Sequence, residues 1–197
     1  MDEVGRGCIA GEVAVGAVLL DLDSDVIWPS NLKDSKLLSE KAREEIYPEL
    51  ESFGLSWAVG FASVAEIENL GIIQALGLAG SRALEKFLNQ ANTVKLLSEN
   101  AVQIILDGNI NYLGAKSYGL PVLTKVKADQ DCVSVAAASV LAKVTRDRRM
   151  VELAQKFQGY GLETNKGYAS KAHRDALKEL GITEIHRSSW LTKIMAE

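Results

Sequence analysis

Four carboxylates stand where a chain of this pattern can carry out chemistry. Asp2 and Glu3 are adjacent and run straight into Gly5-Arg6-Gly7, Asp107 closes the apolar run Val102–Leu106, and Asp129 follows the run Pro121–Val126. A carboxylate at the C-terminal end of a buried strand is a common active-site placement in open α/β sheets. Asp107-Gly108 is equally an ordinary turn, and Asp2-Glu3 taken alone is equally an acidic chain end. Neighbouring side chains on a strand point to opposite faces, so Asp2 and Glu3 serve one site only at a strand end or bend. Other ligand types are scarce. The only histidines are His173 and His186, and Cys8 and Cys132 have no zinc-like spacing. Oxygen-only ligands favour the hard cations Mg2+ or Mn2+, and two such ions about 4 Å apart suit in-line displacement at phosphorus.

Groups suited to a phosphate accompany the carboxylates. Gly5 and Gly7 let backbone N–H groups approach a ligand closely, and Arg6 between them offers a fixed fork of donors. Lys33 and Lys36 precede Ser39, a plausible helix N-cap, and read either as a solvated loop or as a phosphate clamp. Ser139, Lys143, Arg146 and Arg149 recur at helical spacing, where basic residues also complement a helix C-terminus.

The elements that must position these groups can be read from the pattern. Val13–Asp21 is β-branched and apolar and predicts a buried strand, Glu40–Leu50 a helix, and Leu55–Ser63 a second strand. A short helix from Ser63 or Val64 to Asn69 is interrupted at Gly71, and Ile72–Gln90 carries apolar residues at helical spacing. Gly77 and Gly80 inside that helix suggest close packing against a neighbour. Val102–Leu106 and Pro121–Val126 predict short strands, Cys132–Arg149 a helix with a small-residue face able to lie close to the sheet, and Lys171–Leu180 another helix. Phe157–Gly167 reads as irregular, and the tail ends in a helical turn. With no repeat or linker, the order argues for one mixed α/β domain over 1–197.

Composition bounds the function. At 47% apolar and 24% charged residues the chain is of globular type, and no apolar run reaches the roughly 20 residues that span a bilayer. No secretion signal is visible and the cysteines make no disulfide framework, so a cytoplasmic location is expected. The net charge of −4 divides into −9 over residues 1–115 and +5 over residues 116–197. Such a split suits an anionic substrate held over a metal-loaded carboxylate site.

The blocks Asp2–Gly7 (DEVGRG), Asp34-Ser35-Lys36, Asp107-Gly108-Asn109, Lys127-Ala128-Asp129, Ala136–Asp147 (AAASVLAKVTRD), Asn165–Tyr168 (NKGY) and His186–Ser189 (HRSS) resemble bacterial ribonuclease HII in order and across almost the whole chain. The resemblance implies a ribonuclease H-like fold, a mixed five-stranded sheet flanked by helices, with C-terminal helices over about 150–197 helping to bind substrate. It implies a metal-dependent endonuclease that cleaves the RNA strand of RNA–DNA hybrids and nicks 5′ to a single ribonucleotide in duplex DNA. The products would be 5′-phosphate and 3′-hydroxyl ends, and the role removal of ribonucleotides and RNA primers. Asp2, Glu3, Asp107 and Asp129 match the family's metal-binding catalytic carboxylates, for two Mn2+ or Mg2+ ions. Gly5, Arg6 and Gly7 match the loop that reads the ribose 2′-hydroxyl. Tyr168 matches the tyrosine that bonds this hydroxyl and stacks on the next deoxyribose. Lys36, Ser139, Lys143 and Arg146 fall where phosphate contacts are expected. A monomer is expected, and no membrane partner.

Several positions depart from the pattern. The family has several apolar residues before the Asp-Glu pair, where only Met1 precedes Asp2 here; a shortened central strand is expected to weaken packing and metal affinity at Asp2. Glu12 replaces a usual proline, Ala128 a frequent glycine and Trp190 a phenylalanine. Two rival readings stand beside ribonuclease HII. One is the HIII type, which carries an extra N-terminal domain and is disfavoured by Arg6 and Tyr168. The other is a nucleic-acid-binding protein without activity.

Overall fold

The computed structural model describes residues 1–21, 27–89, 93, 95, 97, 99–192 and 194. Its strands are β1 (Asp2–Val4), β2 (Val13–Leu19), β3 (Ser56–Ala62), β4 (Ile104–Asp107) and β5 (Val122–Lys125). The helices that carry the argument are α1 (Glu40–Glu51), α2 (Val64–Leu70), α3 (Ile72–Leu88), α4 (Ala128–Asp131), α5 (Val133–Lys156), α6 (Leu162–Asn165) and α7 (Lys171–Leu180). β2 to β5 and the helices α1, α2, α3 and α7 fall close to where the sequence pattern puts them, whereas β1 carries no apolar pattern of its own. The predicted end of α3 at Gln90 and residues 23–26 of the link from Asp23 to Ser30 lie outside the described residues.

β1, β2 and β3 form an antiparallel ladder in that order, while β4 and β5 pair in parallel. The expected single five-stranded sheet is thus found as ladders of three and two strands. They are joined at Met1, whose nitrogen donates to the Ile105 carbonyl at 2.6 Å and whose carbonyl accepts from the Asp107 N–H at 3.0 Å. β1 therefore lies between β2 and β4.

Both faces of β2 are covered. Val13, Val15 and Ala17 share one apolar cluster with Ala75, Leu76, Ala79 and Ala83 of α3. On the other face Ala14 packs with Ala142 of α5. Backbone meets backbone here: a Cβ on Gly16 would lie 2.3 Å from the Ala138 carbonyl oxygen, and one on Gly60 2.0 Å from that of Ala79. The small-residue face of α5 does lie against the sheet, as read from sequence. Gly77 likewise admits the Tyr112 carbonyl, at 2.3 Å from where a Cβ would sit. Caps set the helix starts: the Ser39 hydroxyl accepts from the Ala42 N–H at 3.2 Å, and Ser63 and Glu66 form a reciprocal capping box.

α5 runs to Lys156, seven residues beyond the predicted end at Arg149. Met150–Lys156 contains neither glycine nor proline, so nothing in that stretch stops the helix. Lys143, Arg146 and Arg149 are consequently mid-helix residues, and the reading of them as a basic last turn is corrected. Within the stretch read as irregular, Leu162–Asn165 forms the short helix α6.

Candidate active site

β1, β4 and the segment after β5 deliver the four carboxylates to neighbouring positions. Asp2 opens β1, and its Oδ1 accepts from the Glu3 N–H at 2.8 Å. Asp107 ends β4, and its Oδ1 accepts from the Ala128 N–H at 2.8 Å, which ties it to the start of α4. Asp129 lies in the first turn of α4 beyond Lys127, whose φ of 59° turns the chain out of β5. Asp2 and Asp129 are buried, at 3% and 4% exposure.

The electrostatics show that these groups feel one another. Burial, then Glu3, raises the Asp2 carboxyl from 3.8 to about 7; Asp107 adds to the rise and Lys36 opposes it. Burial also raises Glu3, against the pull of Arg6, with Asp107 adding to the rise. Asp129 is raised by burial, then by Asp107 and Asp34, with Lys36 opposing. Burial pulls the Lys36 ammonium down, but Asp2, Asp34, Asp129 and Asp107 outweigh it and the net shift is upward. Lys36 is the counter-ion of the site: its Nζ lies 3.6 Å from Asp129 Oδ2 while its side chain stays 70% exposed.

The four carboxylates do not close into a ligand set. Among the described residues, no three acidic, histidine or cysteine side chains are grouped so as to hold a metal ion. Asp2 and Asp107 each spend an oxygen on a backbone donor, and Asp129 spends one on Lys36. The donor chemistry nevertheless fits a hard divalent cation. All four donors are oxygens, and burial together with neighbouring carboxylates raises Asp2, Glu3 and Asp129, so the unneutralised charge of these three is penalised. Asp2, Glu3, Asp107 and Asp129 are the residues that would hold it.

The sequence reading passed over Asp34 as a site group. It is 4% exposed, accepts from the Lys36 N–H at 2.9 Å and stands close enough to Asp129 to raise it. Its signal was present in Asp34-Ser35-Lys36, but only the lysine was read as functional. Ser139 does not reach the surface: it is 1% exposed and donates to Ser35 Oγ at 2.6 Å while accepting from the Ser35 N–H at 3.2 Å. Its expected phosphate contact is corrected to a role in holding the segment that carries Lys36.

The second half of the site is the turn after β1. Gly5 has φ of 82°, a left-handed conformation that disfavours a side chain, and a Cβ there would meet the Arg146 guanidinium. Arg6 and Gly7 are exposed, with Arg6 Nη1 3.5 Å from Glu3 Oε1. Arg146 is 1% exposed and points beneath this turn. It donates through Nε to the Glu12 carbonyl at 2.7 Å, through Nη1 to that of Lys166 at 2.9 Å and through Nη2 to that of Ala10 at 3.2 Å. All three nitrogens are occupied, so its expected phosphate contact is corrected: Arg146 fastens the turn to the Lys166–Tyr168 segment. Ile9 and Ala10 N–H groups complete that seam on the Gly167 carbonyl at 2.9 and 3.2 Å.

Tyr168 sits on this seam with its ring 43% exposed, and Lys143 Nζ lies 5.7 Å from the ring centroid. Burial, then the neighbouring Cys8 thiol, raises the Tyr168 phenol above its usual value. Lys143 also pairs with Asp147 at 2.8 Å, one turn along α5. The chain thus joins Asp2 and Glu3 to Gly5–Gly7 covalently, and the seam joins the residues just after that turn to Lys166 and Gly167, beside Tyr168.

Known proteins resemble the chain over nearly its whole length. The family model described as Ribonuclease HII matches residues 1–193. The Ribonuclease HII of Paracoccus denitrificans is 44% identical over 190 residues, spanning 96% of this chain and 82% of that protein. Among solved structures, the ribonuclease H2 of Pyrococcus horikoshii superposes with a TM-score of 0.69 at 27% identity, over 99% of this chain and 95% of that one. Bst-RNase HIII in complex with Mn2+ shares the fold at 21% identity and a TM-score of 0.68, over 99% of this chain and 67% of that one. The chain belongs to the ribonuclease HII family.

Proposed function

We propose that this protein is a divalent-metal-dependent ribonuclease H of type 2. It cleaves the RNA strand of RNA–DNA hybrids and nicks duplex DNA on the 5′ side of a lone ribonucleotide, leaving 5′-phosphate and 3′-hydroxyl ends. The observation that carries this reading is the union of two functions in one short segment. Asp2 and Glu3, with raised carboxyl pKa values, are followed directly by a glycine turn whose continuation, Ile9 and Ala10, bonds to Gly167 beside Tyr168.

The residues divide the work. Asp2, Glu3, Asp107 and Asp129 hold the cation, Mn2+ or Mg2+, with two ions in the reacting complex. Ions held there would supply charge neutralisation at the phosphodiester and would lower the pKa of a bound water. Lys36, exposed beside Asp129, attracts and orients a phosphate oxygen, and Lys143 contacts a phosphate beside Tyr168. Such contacts position a duplex without reading its sequence. The backbone of Gly5–Gly7 and the Tyr168 hydroxyl meet the ribose 2′-hydroxyl, the group that separates RNA from DNA. The Tyr168 ring excludes water from the sugar that follows.

One copy supplies every named residue, which supports action as a monomer, and a nucleic-acid substrate of this kind supports a cytoplasmic location. No described helix is long and apolar enough to cross a membrane. The test uses a DNA duplex with one internal ribonucleotide, with Mg2+, Mn2+ or EDTA. A metal-dependent nick on the 5′ side of the ribonucleotide, absent from all-DNA duplex, is the expected result. Binding without a nick, or a nick that persists in EDTA, refutes the reading.

A further inference from the structure

His186 and Arg187 are neighbours in the chain, yet their side chains reach opposite halves of the region assigned above to the ribose. Arg187 is 0% exposed. Its Nη2 donates to the Gly5 carbonyl at 2.8 Å and its Nη1 to the Arg6 carbonyl at 3.0 Å; Nε and Nη2 also reach the Gly11 carbonyl at 3.2 and 3.0 Å. Among the described residues no carboxylate forms an ion pair with it. A buried guanidinium without a counter-ion is costly; this array of carbonyls, with the Trp190 ring centroid 5.0 Å from Arg187 Cζ, makes it tolerable. Burial brings Arg187 down to about 10, so it is still charged at neutral pH. An apolar side chain would fill the same volume without that cost. What the cation adds is a rigid link between both limbs of the Gly5–Gly11 turn.

His186 works toward the other half. Its Nδ1 accepts the Thr183 N–H at 3.1 Å, so its ring proton is on Nε2, which lies 3.2 Å from His173 Nε2. His173 Nδ1 lies 2.9 Å from the Tyr168 carbonyl, an acceptor only, so Nδ1 of that ring carries the proton. The tautomers are therefore fixed: Thr183 donates to His186, His186 to His173, and His173 to Tyr168. Main-chain contacts hold the dipeptide against the turn, with the Arg187 N–H on the Ile9 carbonyl at 2.8 Å and a bridge between Ala10 and His186.

We propose that His186 and Arg187 are positioning residues that fix the distance between the Gly5–Gly7 turn and Tyr168, and so set the enzyme's register on a single ribose. This rests on the nuclease reading above and goes beyond it by assigning selectivity to residues that never touch the substrate. A hybrid with a continuous RNA strand offers a 2′-hydroxyl at every step, so a loosened reader still finds one. A lone ribonucleotide offers a single productive register.

The experiment compares wild type with Arg187→Lys and His173→Asn on two duplexes, one with a lone ribonucleotide and one with a continuous RNA strand. The readout is the ratio of their kcat/KM values, with melting curves run alongside. One ammonium cannot span three carbonyls, and a displacement near 1 Å costs about 100-fold in rate. Arg187→Lys should therefore lower the ratio about tenfold or more, chiefly through kcat on the lone ribonucleotide. Asparagine at 173 keeps a donor for the Tyr168 carbonyl but drops the link to His186, and should move the ratio in the same direction by less. Loss of folded protein scales both substrates equally and leaves the ratio alone. A ratio within about twofold of wild type for Arg187→Lys overturns the proposal; if that variant melts below the assay temperature, His173→Asn decides by the same criterion. Wild type that cleaves neither duplex overturns the nuclease reading and this proposal together. Wild type that cleaves both, with an unmoved variant ratio, overturns the positioning role alone.

Discussion

Replacing Asp2 by Asn separates the stability of the site from its function. Burial, then Glu3 and Asp107, raises the folded Asp2 carboxyl from 3.8 to about 7. Between those values the folded chain binds more protons than the unfolded one. Ionisation of Asp2 therefore removes stability as pH rises through this window, and the loss is complete above about 7. A rise of about 3 units corresponds to about 4 kcal/mol at pH 8 and about 2 kcal/mol at pH 5. Asparagine does not ionise, and its carbonyl oxygen can keep the bond from the Glu3 N–H at 2.8 Å. Its NH2 group, left without a partner, takes back about 1–3 kcal/mol, but that cost does not vary with pH. The signature is thus the pH dependence of the difference. Urea unfolding of both proteins in EDTA, followed by circular dichroism, gives the stability gap at pH 5, 6, 7 and 8. The gap should shift by about 2–3 kcal/mol in favour of Asp2→Asn between pH 5 and 8, while its nuclease activity is lost. At pH 8, Mn2+ at a hundredfold excess over Kd should stabilise wild type by about 2.7 kcal/mol and the variant by less. Parallel pH profiles for the two proteins would refute the assignment of a destabilising, ionised Asp2.

Three further outcomes are expected. Gly60→Ala forces a Cβ to within 2.0 Å of the Ala79 carbonyl, between two backbones that cannot yield separately. It should cost about 2 kcal/mol or more, a fall of roughly 4–8 °C in Tm, and an unchanged melting point would deny the close contact of β3 and α3. Tyr168→Phe keeps the ring near Lys143 but removes the hydroxyl; cleavage at a lone ribonucleotide should fall about 10- to 100-fold with Tm unmoved, and undiminished cleavage would remove the hydroxyl from ribose reading. Burial and then His173 lower His186 from 6.5 to about 4, so the folded chain binds fewer protons than the unfolded one in that window. This stability is present above about 6.5 and lost as pH falls toward about 4, amounting to about 3 kcal/mol, and His186→Gln should flatten that limb. The histidine and Asp2 trends oppose each other over the same pH range, so each is read only as a difference from its own variant.

The fold was legible wherever one face of an element is apolar. β2, β3, α1, α3 and α7 follow from period and caps because burial and local hydrogen bonding agree there. The strand ends that carry Asp107 and Asp129 were legible for the same reason. The fate of the basic residues was not. Arg146 and Arg149 have the same spacing and charge in sequence, yet Arg146 is 1% exposed while Arg149 pairs with Glu12 at 2.9 Å near the surface. What separates them is carbonyl oxygens from residues 10, 12 and 166, which pattern in one helix does not reveal. Part of the positive charge in the second half of the chain is not offered to a substrate, since Arg146 and Arg187 spend theirs inside. Asp34 was missed for a related reason: its closeness to Asp129 depends on Ser139 holding the segment against α5.

These placements divide charge sharply along a few residues of chain. Up to Glu3 the site is a group of carboxylates with Lys36 as counter-ion. From Gly5 onward the turn is backed by two buried guanidinium ions whose hydrogen bonds go to carbonyls. A nucleic-acid phosphate approaching the first half meets like charge until a cation neutralises it, whereas the second half attracts it without help. Metal-free protein should therefore hold a duplex by the turn and Tyr168 alone, with the scissile phosphate unseated, and a divalent cation should tighten binding rather than act on the chemical step only. Thermodynamic reciprocity then requires the duplex to raise cation affinity by the same factor by which the cation raises duplex affinity. Titration of the cation with and without a non-cleavable duplex measures that factor directly, and a factor of one would mean that the two halves of the site act independently.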